Sequence, residues 1–168
     1  LFIFHCITLY WVGGVVVGKD PWMMIAGGAL LVLHPLFYLP FLWLAFLVQK
    51  KSGRVLWYVA FVSFWISFEY LHSLSEYAFP WLTLGNSQAY DINRIQIAEF
   101  TSVYGLSFII LLFNILSFEL TRNLLLAPSK TSRRQNFLLA SVLVLIYALP
   151  YMYGAVRIKT IQPEFRPE

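Results

Sequence analysis

The sequence predicts an all-α integral membrane fold: about five transmembrane helices plus an interfacial or re-entrant outer loop. Three observations carry that prediction. Of 168 residues, 60% are hydrophobic and only 12% are charged, about half the charged fraction of soluble domains. The apolar residues come in runs long enough to cross a hydrocarbon layer roughly 30 Å thick. Aromatic residues such as Trp22, Trp57, Tyr58, Tyr151 and Tyr153 gather near the ends of those runs, at the depth that amphipathic rings prefer.

The first span is expected over 1–18, and Lys19, Asp20 and Pro21 form a tight polar turn after it. The second, 22–48, would reach roughly 40 Å as a straight helix. His34-Pro35 and Pro40 lie inside it, so a kink or tilt is expected. The third, fourth and fifth spans are expected over 55–71, 103–120 and 137–153. Because the chain starts at Leu1 inside apolar sequence, without Met or a signal-peptide pattern, further residues are expected before it.

Charge orients the spans. Lys50, Lys51 and Arg54 make one basic loop; Arg122, Lys130, Arg133 and Arg134 make another. The two lie an even number of spans apart, so both face the cytoplasm by the positive-inside rule. The stretch 72–102 holds Glu76, Asp91 and Glu99 against Arg94 and faces the other way, as does the tail. The basic residues are thus read as topology signals, and no nucleic-acid partner is expected. Residues 1–156 form the membrane domain and 157–168 a linker.

One segment does not fit simple spanning. Tyr77 to Tyr90 reads YAFPWLTLGNSQAY. It has no charge, yet Pro80 and Gly85 break it. Pro80 biases Phe79 away from helix, and Gly85 allows a turn that other residues resist. Thr83, Asn86, Ser87 and Gln88 offer hydrogen-bonding groups. Irregular backbone at membrane depth persists only where protein or a wet cavity satisfies it. Two readings are open: a re-entrant loop, or an aromatic surface loop that anchors at the headgroups.

Glu69 and His72, three residues apart on one helix face, stand near the outer end of the third span. Either Glu69 has a partner or role, as membrane-embedded carboxylates usually do, or it reaches headgroup water beside an ordinary interfacial histidine. No nucleophile neighbours the pair in sequence. Glu119 is expected to pair with Arg122. Gly13-Gly14 and Gly27-Gly28 read as helix-packing sites. His5 and His34 read as isolated on different spans, and Cys6 as a small hydrophobe. No metal site or cofactor is expected, and no phosphate-loop, nucleophile-elbow or metalloprotease pattern occurs.

The ordered strings resemble a known family. They are Trp65-x-x-x-Glu69, then Phe79-Pro80-Trp81-Leu82-x-Leu84-Gly85-Asn86-Ser87-Gln88, Ile95-Gln96-Ile97-Ala98 and Val103-Tyr104-Gly105-Leu106-Ser107-Phe108. Together with Tyr10-Trp11 and the Pro35-to-Leu44 stretch, they resemble the membrane domain of bacterial apolipoprotein N-acyltransferase. Many members carry Arg where His72 stands. The resemblance implies a whole enzyme of the bacterial inner membrane that moves an acyl chain from a phospholipid to the N-terminal cysteine of a diacylated lipoprotein. It does so through a thioester on a periplasmic, nitrilase-like domain with a Glu-Lys-Cys set. Nothing in this chain matches that set, so no catalytic residue is expected here, and the fragment alone would be inactive.

What the resemblance leaves to this chain is to hold the catalytic domain and to shape the entry for lipid. The residues implied are Glu69, His72, Phe79, Pro80, Trp81, Gly85, Asn86, Gln88, Tyr104 and Gly105. Two rival readings remain at this point: a small transporter or channel subunit, with Glu69 and Glu119 along a pathway, and a non-catalytic membrane anchor.

Overall fold

A computed structural model describes residues 2–12, 21–76, 78–126 and 132–161. Among them are seven α-helices, two short 3-10 helices and no strand. Helix α1 is Phe2–Thr8, α2 Pro21–Phe37, α3 Leu39–Lys51, α4 Arg54–Ser73, α5 Ile92–Ile95, α6 Ala98–Leu125 and α7 Arg133–Ile161. The chain divides into two compact units, Leu1–Phe64 and Trp65–Glu168, the division falling within α4.

Four helical stretches are long and apolar enough to cross a membrane: Pro21–Lys51, Arg54–Ser73, Ala98–Leu125 and Arg133–Ile161. These correspond to the second through fifth expected spans. Each runs past its apolar window, because helical hydrogen bonding continues into polar end residues such as Glu99, Arg122 and Arg133. The last continues through Ile161, so 157–161 is helix rather than linker. Of the first expected span, Phe2–Thr8 is helical and Leu9–Val12 is a turn; 13–18 lie outside the described residues, as do Lys19 and Asp20. Large apolar side chains lie open along all four helices, including Trp22, Val55, Leu125 and Phe137. Contiguous apolar surface of that kind suits a lipid solvent.

The long second stretch breaks where the prolines predict. Pro35 and Pro40 supply no amide hydrogen. Tyr38 sits between α2 and α3, its own amide reaching back three residues to the Pro35 carbonyl at 3.3 Å. In the same unit, His5 Nε2 and His34 Nδ1 are 2.9 Å apart, and both rings are buried. The two histidines expected to be isolated therefore join α1 to α2. Gly28 departs from expectation too: a Cβ there would meet nothing within 4 Å, so it makes no tight helix contact. Gly13 and Gly14 lie outside the described residues.

In the second unit, α6 and α7 run antiparallel. Phe100 meets Tyr153, Phe113 meets Tyr147, and Arg157 Nε donates to Glu99 Oε2 at 3.1 Å. Glu119 pairs with Arg122 at 2.8 Å, as its spacing predicts. The segment between α4 and α6 packs onto this hairpin. Its 3-10 turn Leu84–Gln88 lies on α6, and α5 lies on α7. A Cβ on Gly154 would overlap the backbone of Asn93, which is how closely α5 approaches α7.

Candidate functional site

The Phe79-to-Gln88 segment satisfies much of its backbone locally. Thr83 N donates to the Pro80 carbonyl at 3.1 Å, Asn86 N to Thr83 at 3.0 Å and Ala89 N to Asn86 at 3.1 Å. The side-chain amide of Asn86 reaches back to the same Pro80 carbonyl at 2.6 Å. Two tight turns, Pro80–Leu82 and Leu84–Gln88, result. Local bonding of this kind is what irregular backbone needs when water is scarce.

The start of the second turn is held from outside the segment. Leu84 N donates to Glu69 Oε1 of α4 at 2.9 Å, and Gly85 N donates to Ser107 Oγ of α6 at 2.9 Å. Adjacent amides are thus held by side chains from two different helices. Glu69 does not face headgroup water: it is 4% exposed, and its Oε1 also accepts from the Trp65 indole at 3.0 Å. Its Oε2 is enclosed and accepts from no donor among the described residues. With Oε1 accepting from both the Trp65 indole and the Leu84 amide, Glu69 anchors the segment to α4.

Gly85 owes its identity to close approach. A Cβ there would overlap the Val103 carbonyl and crowd the side chains of Val103 and Leu106. The backbone at that point is shaped by Ser102, which has φ 60 and ψ 179, a non-glycine residue in a region that glycine favours. Ser102 kinks α6 where the segment lands. Gly105 stands beside the kink, where a Cβ would overlap the Thr101 side chain.

The remaining predicted residues divide into an inner and an outer set. His72 Nε2 accepts from Phe79 N at 3.3 Å, and its ring stacks on Phe68 at 5.3 Å between centroids. The Tyr104 hydroxyl bonds Ser73 Oγ at 2.7 Å, and Ser73 in turn bonds the Tyr70 carbonyl, closing the end of α4. Leu82 and Gly85 face inward. Trp81, in contrast, is 64% exposed with Phe79 beside it at 5.3 Å, and Pro80 and Asn86 are exposed as well. Gln88 accepts from Arg94 Nη1 at 3.2 Å, which ties the segment to α5.

Sequence reasoning placed Glu69 and His72 near the loop in order but did not find their bonds to it. It gave Ser107 and Trp65 no role beyond their strings and read Arg94 as a topology charge. The signal available was spacing: Trp65 and Glu69 share a helix face at four residues. The partners of Leu84 and Gly85 are far away in sequence and carry no such signal.

The arrangement can present an apolar aromatic edge, Phe79 and Trp81, on a backbone fixed from below.

The family model for the apolipoprotein N-acyltransferase N-terminal domain matches residues 1–116. An apolipoprotein N-acyltransferase of Geobacter metallireducens is 36% identical over 117 residues, covering 68% of this chain and 22% of the relative. One from Chlorobaculum tepidum is 29% identical over 164 residues, covering 87% of this chain and 30% of the relative. One from Rickettsia prowazekii is 30% identical over 105 residues, covering 62% and 20%. The chain therefore spans less than a third of the length of these relatives. No solved structure matches the chain. The match over 1–116, which contains the whole Phe79-to-Gln88 segment, places this chain in the apolipoprotein N-acyltransferase family as a member of its N-terminal membrane domain.

Proposed function

We propose that the protein containing this chain transfers an acyl chain from a membrane phospholipid to the N-terminal cysteine of diacylated lipoproteins. In this reading the chain is the membrane domain of that acyltransferase. It carries no catalytic residue and is inactive alone. It holds the catalytic domain at the periplasmic face of the inner membrane, with its C-terminal tail on that side, and its Phe79-to-Gln88 segment lines the entry for lipid.

The observation that carries the proposal is the anchored, aromatic-tipped segment. Glu69 and Ser107 hold adjacent amides while Trp81 stands open beside Phe79. A surface loop that served only as an anchor would need the aromatic ring at the interface but not a buried carboxylate beneath it. Fixed placement is what a guiding surface requires, since small displacements from a productive geometry cost large factors in rate.

The test is activity of the full-length protein. Trp81→Ala, Pro80→Ala and Glu69→Ala are each expected to lower acyl transfer by roughly tenfold or more while membrane insertion is retained. Wild-type turnover in all three variants would reduce the segment to an interfacial anchor.

A further inference from the structure

Side chains outside the Phe79-to-Gln88 segment accept from its backbone amides at both ends. At the front, His72 Nε2 accepts from Phe79 N at 3.3 Å. At the back, Glu69 Oε1 accepts from Leu84 N and Ser107 Oγ from Gly85 N. Between the two ends hangs the Pro80–Leu82 turn, braced internally where Thr83 N and the Asn86 side-chain amide both donate to the Pro80 carbonyl. The aromatic pair Phe79 and Trp81 therefore sits at the front tie.

The three acceptors answer a proton differently. A carboxyl group still has a carbonyl oxygen to accept with after protonation, and the oxygen of a serine hydroxyl accepts at any ordinary pH. An imidazole has one acceptor nitrogen when neutral and none as a cation. Accepting at Nε2 requires the neutral ring with its hydrogen on Nδ1. A proton gained by His72 turns the atom facing Phe79 N into a donor, and two N–H groups then oppose each other. The ring stacks on Phe68 at 5.3 Å and 17°, which holds its plane, so the amide is the freer partner. His72 is half-buried at the end of α4, beside exposed Ser73 and Leu74, where protons reach it. The titratable groups around it are Glu69 and Tyr70 on α4, Glu76 beyond its end and Tyr104 of α6, whose hydroxyl lies on Ser73. The Pro80–Leu82 turn brings none.

We propose that His72 is a proton-operated latch on the front of the segment. Neutral, it holds Phe79 N. Protonated, it releases that amide, and the Phe79–Trp81 edge lifts from α4 while Leu84 and Gly85 stay seated on Glu69 and Ser107. The latch rests on these bonds and not on the acyl-transfer reading. Its readout is motion and not turnover, so either can fail without the other.

The test uses the full-length protein in nanodiscs, with a nitroxide on p-acetylphenylalanine in place of exposed Ala78, next to the front tie. Its spectrum is recorded from about pH 7.5 to about pH 5, across the ordinary imidazole range. The mobile component is expected to rise reversibly, roughly threefold or more, as one hydrogen bond is lost. The same label in place of Tyr90, which is exposed behind the back ties, should not respond. His72→Gln places a non-titrating acceptor near the position of Nε2 and should keep the label at 78 immobile throughout. His72→Phe retains a ring for Phe68, offers no acceptor and should leave the label mobile at every pH. Glu76→Gln should keep the wild-type response. An unchanged spectrum in the wild type would overturn the latch. So would a pH response that survives in His72→Gln or His72→Phe, one that is lost in Glu76→Gln, or an equal response at position 90.

Discussion

Glu69 shows how much one side chain decides. Its Oε1 takes two donors, the Trp65 indole and the Leu84 amide. Glu69→Ala removes the acceptor from both and leaves the part-buried Leu84 amide unpaired, which costs up to about 1–3 kcal/mol for the amide alone. Glu69→Gln retains an acceptor oxygen. The expected order of melting temperature in detergent is therefore wild type, then Glu69→Gln, then Glu69→Ala; equal values for Glu69→Ala and wild type would remove its anchoring role. Gly85→Ala is expected to be as damaging, because its new methyl meets the Val103 carbonyl, which cannot rotate away. Neither effect was legible in the sequence. Spacing linked Trp65 to Glu69, but Leu84 lies 15 residues from Glu69 and Gly85 lies 22 from Ser107. Such pairs arise from how helices pack and not from any local pattern.

At the scale of elements, the second to fifth expected spans were legible because length and apolarity alone select them; the first, expected over 1–18, is helical only over Phe2–Thr8 among its described residues. Their ends were not, since a hydropathy window stops at the first charges while the helix does not. The prolines of the long second stretch foretold its break, and the amides they lack explain it. The kink in α6 had no sequence signal at all: Ser102 is an ordinary residue in an uncommon conformation. Strain of that type costs about 1–3 kcal/mol, so Ser102→Gly should raise the melting temperature. A fall would show that the Ser102 side chain contributes more than its backbone costs. The His5–His34 contact was hidden for a related reason, as 29 residues separate the rings. His34→Leu should weaken the docking of α1 on α2 by about 0.6–2 kcal/mol, the range of hydrogen bonds between membrane helices. Thermal unfolding followed by a fluorophore on Cys6, which lies within α1, would report it.

For the whole molecule, the positive-inside rule predicts a direction that a labelling experiment can test: basic loops inside, the 72–102 stretch outside. In a Cys6→Ser background, Glu76→Cys should react with a membrane-impermeant maleimide in intact spheroplasts, and Ser52→Cys should react only after lysis. The reverse pattern would invert the topology and place the aromatic segment on the cytoplasmic face. Family membership was legible because its strings lie in the segment and in the helices that hold it. What those strings do physically became visible only when α4, the segment and α6 were seen to share hydrogen bonds.

The close approach of Asn93 to Gly154 has a consequence in time. The ribosome makes Asn93 long before Gly154, and at roughly 5–20 residues per second the delay is several seconds. During that interval the segment has Glu69 available, then Ser107, but not the helix on which α5 rests. It must wait half-seated, with Asp91 and Arg94 still beside water, until α7 enters the bilayer. Gly154→Leu would then leave insertion of every span intact and arrest the final step, giving a chain that is threaded correctly yet keeps its Asn93 region open to protease.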